Sequence, residues 1–102
     1  MIKRIVKMTF RPDTVDDFLD IFDESSPHIR GFEGCRHLEL WHCREPDNVL
    51  FTYSFWESEA ALDRYRHSDL FRSTWSRTKK LFDGRPEAWS IEVIREVETQ
   101  AR

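Results

Sequence analysis

Two cysteines, three glycines and four prolines in 102 residues set limits at once. Cys35 and Cys43 lie eight apart in what reads as one strand. That is too far to bridge, so they read as free thiols and the fold is not a disulfide framework. The three glycines are not spaced as a phosphate-cradling loop. No apolar run approaches the roughly 20 residues of a membrane span. The opening MIKRIVKMTF is too short and too charged for a secretory leader, which predicts a cytoplasmic protein. Positive charge is not in excess: sixteen Lys and Arg face nineteen Asp and Glu, a net of −3. Nucleic acid is offered no general electrostatic handle. Linkers, low-complexity segments and solenoid repeats are also absent.

What is present suits one soluble globular domain, with 39% hydrophobic and 34% charged residues. Ile2 to Phe10 reads as a strand, with Ile2, Val6, Met8 and Phe10 on one parity and Lys3, Lys7 and Thr9 on the other. Asp13-Thr14 reads as a helix start with Asp17 completing a capping box. Val15, Phe18, Leu19 and Phe22 then recur at helical spacing, and Ser25-Ser26-Pro27 predicts the helix end. Gly31 to Gly34 reads as a loop. Cys35 to Arg44 is a second strand, with Leu38 and Leu40 facing one way and His37, Glu39 and Trp41 the other. After a turn at Glu45–Asn48, Val49 to Trp56 is apolar on nearly every residue, so both faces of that strand are expected to be covered.

Residues 58–82 read as a helix broken at His67-Ser68, with Ser68 capping its second half. Asp83 to Pro86 is a stop, and Ala88 to Val97 a last strand. The domain then spans residues 1–97, and 98–102 form a frayed tail. The order β-α-β-β-α-β predicts an α+β fold of ferredoxin-like type: an antiparallel sheet with two helices on one face. The other face keeps its aromatics, with nothing left in the chain to cover them. A homodimer packed through that open sheet face is the expected partner arrangement.

Three segments carry a family resemblance: Gly34-Cys35 opening the second strand, Phe55-Trp56-Glu57-Ser58-Glu59 closing the third, and Ser68-Asp69-Leu70-Phe71 starting the second half-helix. Over about residues 2–96 the chain resembles the antibiotic biosynthesis monooxygenase superfamily, the dimeric α+β barrels. The resemblance implies chemistry of the kind that family hosts: cofactor-free oxygenation of quinols or anthrones, quinol monooxygenation, or haem degradation. The functional Trp of the haem-degrading branch falls on Trp56. That branch's strand-one Asn reads Val6, and its haem-ligating His reads Trp75. Neither side chain supplies an axial donor. A His of many quinol-type members is replaced by Asp63-Arg64-Tyr65-Arg66.

The candidate residues each carry two readings. Trp56 stacks on a flat substrate or donates its indole N–H to one, or else simply anchors helix to sheet. Phe71 and Trp75, four apart, are cavity wall or plain core, with Val6 and Met8 on the facing sheet. Tyr65 is an acid–base candidate, or a half-buried helix Tyr. His37 and Glu39 share a strand face and form a proton-handling pair or a polar pair at the dimer interface. Cys35, His37 and Glu39 span about 13 Å, too far to share one metal ion. The basic run from Arg64 to Arg85 reads as a solvated helix face, with no aromatics interleaved for nucleic acid. The expected function is a cofactor-independent monooxygenase acting on a small aromatic or quinol-type substrate. Trp56, Tyr65 and His37 would be catalytic, Val6, Met8, Phe71 and Trp75 would bind, and no metal or cofactor takes part. The alternative is a non-catalytic dimeric module, or a hydrophobic-ligand binder, with an aromatic-filled cavity.

Overall fold

The computed structural model describes residues 1–100. Its elements are β1 (Ile2–Thr9), a 3₁₀ turn at Pro12–Thr14, α1 (Val15–Arg30), β2 (Cys35–His42) and β3 (Val49–Trp56), followed by α2 (Glu59–Arg66), α3 (Asp69–Thr78), a second 3₁₀ turn at Lys79–Leu81 and β4 (Glu87–Ile91). The four strands form one antiparallel sheet in the order β2-β3-β1-β4. That is the split β-α-β arrangement expected of a ferredoxin-like fold.

Register decides what each sheet face carries. Val6 of β1 stands opposite Thr52 of β3 and Ala88 of β4, and Arg4 opposite Ser54 and Ser90. These residues face the helices. One step along, Ile5 stands opposite Tyr53 and Trp89, and Lys3 opposite Phe55 and Ile91, all on the open face.

The core is built from two groups. Met8, Phe10, Phe18 and Leu50 pack one end, and Cys35, Trp56, Ala61 and Leu62 the other. The break in the helical segment falls where the sequence places it. Ser58 and Ser68 cap α2 and α3, accepting from the N–H groups of Ala61 and Phe71 at 3.1 Å.

Three local expectations are corrected. First, α1 does not stop at Ser25-Ser26-Pro27 but continues to Arg30 through Pro27. Ile29 in its last turn is buried, and that packing outweighs the hydrogen bond Pro27 cannot make. Second, Thr14 holds the N-cap position of α1, but its side chain makes no capping bond. Its buried hydroxyl shares its one proton between the carbonyls of Leu81 at 2.8 Å and Arg11 at 3.0 Å, which ties the start of α1 to the turn after α3. Third, β4 ends at Ile91 rather than Val97: Ile91 pairs with Lys3, and β1 begins only one residue earlier, so the chain beyond has no strand to pair with. Residues 98–100 of the expected tail carry no regular structure, and 101–102 lie outside the described residues.

Gly34 sets the approach of α2 to the sheet. Its φ is +92°, and a Cβ there would stand 2.5 Å from the Cβ of Ala61. Its carbonyl accepts from Glu57 N–H at 2.9 Å. Gly34→Ala combines backbone strain with overpacking, so we expect a loss of about 2–4 kcal/mol. Urea unfolding checks it; a loss under about 1 kcal/mol would mean the chain shifts there freely.

Candidate functional site

Between the helix-facing side of the sheet and the three helices lies a cavity of about 300 Å³. That is the lower end of ligand-pocket sizes. The sheet supplies Val6, Met8, Thr52 and Ser54 to its floor, and α2 and α3 supply Tyr65, Phe71 and Trp75. The alternation that reads as strand and the four-residue spacing that reads as helix together bring these groups to one place.

The aromatic wall is continuous. Trp56 stacks on Tyr65 with centroids 4.8 Å apart, Tyr65 meets Phe71 edge-on at 5.3 Å, and Phe71 stacks on Trp75 at 5.8 Å. Such pairs add about 0.5–1.5 kcal/mol each beyond their buried area, so the wall is stiff. Trp56 itself is 1% exposed, and its indole N–H is already donated to Ser54 Oγ at 3.0 Å. Tyr65 stacks on one face, and Phe32 meets the ring edge-on at 6.4 Å. Trp56 therefore braces the cavity and is the least accessible of its rings.

Burial, and then the neighbouring Cys35, push the Tyr65 phenol well above its ordinary pKa. A phenol so shifted stays protonated across the neutral range. It can donate a hydrogen bond to a ligand oxygen, but it is no base.

Six of the seven candidate residues come together: Trp56, Tyr65, Val6, Met8, Phe71 and Trp75 all line the cavity. His37 does not. It lies on the open sheet face, packed against Phe55 with centroids 4.8 Å apart and hydrogen-bonded to Glu39. Glu39 also accepts from the Trp41 indole at 2.8 Å. The bond from His37, and then that from Trp41, hold the Glu39 carboxyl below its usual pKa. The pair is satisfied within its own strand, and the sheet separates it from Tyr65.

Several lining residues escape the sequence reading, among them Arg4, Arg66, Ser54 and Thr74. The signals exist. Arg4 is the one charge on the apolar parity of β1, and Arg66 stands four after the buried Leu62 on the inner side of α2. The oxygen Oγ1 of Thr74 is buried on the cavity wall with no hydrogen-bond partner among the described residues.

The fold and this cavity define a class: a ferredoxin-like α+β domain with a small aromatic pocket under its helices. The family model for antibiotic biosynthesis monooxygenase matches residues 1–75, and the chain belongs to that family. A crystal structure of an antibiotic biosynthesis monooxygenase superposes with a TM-score of 0.87 at 17% identity, covering 93% of this chain and all, 100%, of that one. The structure of Rv0793 from Mycobacterium tuberculosis gives 0.85 at 20% identity, covering 95% and 98%. A conserved protein from Methanosarcina mazei Go1 gives 0.84 at 21%, covering 88% and 89%. These likenesses establish the fold.

Among curated proteins, one named "Putative heme-binding protein" from Natronomonas pharaonis is 28% identical over 78 residues, or 76% of this chain. The chain spans only 13% of that relative's length. The cavity here does not fit haem ligation. No histidine or cysteine lines it, its one phenol is held protonated by burial, and its one thioether, Met8, is packed into the core with Phe10, Phe18 and Leu50. Among the described residues no helix is long and apolar enough to cross a membrane, and no three His, Cys, Asp or Glu are grouped to hold a metal ion.

Proposed function

We propose that this protein is a cofactor-independent monooxygenase acting on a small aromatic or quinol-type substrate held in the cavity. The observation that carries the reading is that the cavity stays open. Trp56, Tyr65, Phe71 and Trp75 line it without filling it, and Tyr65 and Thr74 are among the polar groups on a largely apolar wall. Family membership supports the reaction class.

In such a reaction the ionised substrate reacts directly with O₂. For an anthrone, one oxygen atom becomes the new ring carbonyl, and the other leaves as water with the two methylene hydrogens. The chain's part is to orient the ring, exclude water and hydrogen-bond the anion. Tyr65 suits the last role as a donor. Phe71 and Trp75 suit the first.

The test is oxygen uptake by metal-free protein with a panel of hydroquinones and anthrones, corrected for autoxidation. Uptake should fall about tenfold or more in Tyr65→Phe, the range one oriented hydrogen bond contributes. A second reading, binding without turnover, is favoured by the position of His37, which leaves no imidazole in the cavity. Ligand-dependent thermal stabilisation with no oxygen uptake across the panel would select it.

The active unit is a homodimer in this proposal, joined through the open sheet face. Trp41, Trp89 and Ile91 are 38%, 45% and 43% exposed there, beside Tyr53 and Phe55. Sedimentation should give a dimer for the wild type, and Trp89→Glu should dissociate it by placing a charge in an apolar interface. A monomeric wild type would remove this part.

A further inference from the structure

Two arginines reach the same small cavity, and no acid among the described residues bridges to either. Arg4 stands on the helix-facing side of β1, and Arg66 ends α2. Neither forms a salt bridge among the described residues, whereas Arg36, Arg72 and Arg77 pair with Glu57, Asp69 and Glu24. Arg4 donates to Ser90 Oγ at 3.1 Å, a neutral acceptor. Arg66 makes no side-chain hydrogen bond among the described residues. Glu87 is the one carboxylate on the cavity lining; it is exposed and bridges to neither.

This arrangement is unfavourable by itself. Burial, and then the charge of Arg66, pull the Arg4 guanidinium below its ordinary pKa. Like charges drawn together beside a low-dielectric space repel more strongly than in water. Such unrelieved charge in a cleft is a mark of a site that a ligand completes. A guanidinium fork matches the two oxygens of a planar anion, and its weak hydration lets it do so next to aromatic rings. Most of the remaining lining is apolar and aromatic, with a few hydroxyls and the exposed Glu87, so the complementary molecule has an apolar body and a charged end.

We propose that Arg4 and Arg66 form an anion-binding subsite, and that the ligand of this cavity is a small aromatic bearing an ionised oxygen group, a carboxylate or an acidic phenol. Its ring lies against Tyr65, Phe71 and Trp75, and its anionic oxygens lie between the two guanidinium groups. The proposal rests on the cavity being the ligand site, and adds the charge that reading leaves open. Where that group is the acidic phenol, it also accounts for a site with no imidazole: the substrate enters already ionised at the reacting ring, so no protein base is required.

Calorimetric titration without turnover tests it, using two matched pairs of probes: naphthoate against naphthamide, and hydroxynaphthoquinone against its methyl ether. The anionic member of at least one pair should bind about tenfold tighter than its neutral partner, the increment expected of a charge-assisted hydrogen bond. A gap for the first pair alone identifies a carboxylate, and for the second alone an acidic phenol. The gap should close in Arg4→Gln and in Arg66→Gln, and survive in part in Arg66→Lys. Arg66 is exposed, so its variants leave the fold intact. Equal binding of both members of both pairs would overturn the anion subsite while leaving the cavity reading standing. So would a preference that persists in both glutamine variants. No binding by any probe would overturn both readings together.

Discussion

Trp56→Ala is expected to remove about 3–5 kcal/mol of stability, the range for deleting a large buried aromatic. For a chain of this length that lowers Tm by about 15–30 °C. The physical grounds are specific. The indole is 1% exposed, its N–H is paired with Ser54, Tyr65 stacks on it and Phe32 meets it edge-on. Removing it leaves a void beneath Tyr65, an unpaired Ser54 hydroxyl and a loosened start to α2. Because Tyr65 leans on this ring, the cavity wall would move with it. Thermal unfolding measures the effect. A fall of under about 5 °C would mean that the indole is not the brace described here.

Ala88→Trp is expected to do the reverse: spare the fold and close the cavity. Ala88 lies on the short edge strand β4, is exposed to solvent, and still forms part of the cavity lining opposite Val6. An indole there competes for the space a ligand ring would take. Overpacking on that scale costs about 1–3 kcal/mol, which is about 5- to 150-fold in ligand affinity. Surface substitutions of this kind change stability by about 0.5 kcal/mol or less. Unchanged affinity in a folded Ala88→Trp protein would place ligand entry elsewhere.

Much of the fold is legible because sheet register is written in parity. Val6 and Met8 share a face with Leu38, Leu40 and Trp56 because apolar residues alternate, and the structure keeps that assignment. The helix break at Ser68 is legible because a serine cap is a local chemical event. Pro27 misleads for the opposite reason. The sequence shows the lost hydrogen bond, but the burial of Ile29 that offsets it is a tertiary fact. The end of β4 depends on where β1 begins, which no local pattern in residues 88–97 contains.

The cavity is less legible than the fold. Its aromatic wall follows from helical spacing. The two arginines do not, because a charge inside an apolar pattern reads as an interruption, and Arg66 sits within a basic run that reads as solvated surface. His37 and Glu39 pair as their shared strand face implies, on the side away from Tyr65. A histidine catches the eye in sequence, yet one-residue parity decides which side of the sheet it serves.

The four tryptophans make the central claim directly measurable. Trp56 and Trp75 line the cavity, and Trp41 and Trp89 are exposed on the open face. Their indole N–H signals in a heteronuclear spectrum therefore report on the two faces separately. Titrating dihydroxynaphthalene in the absence of oxygen should shift the Trp75 and Trp56 signals and leave those of Trp41 and Trp89 in place. Shifts confined to Trp41 and Trp89, or no shift at saturating ligand, would contradict the account.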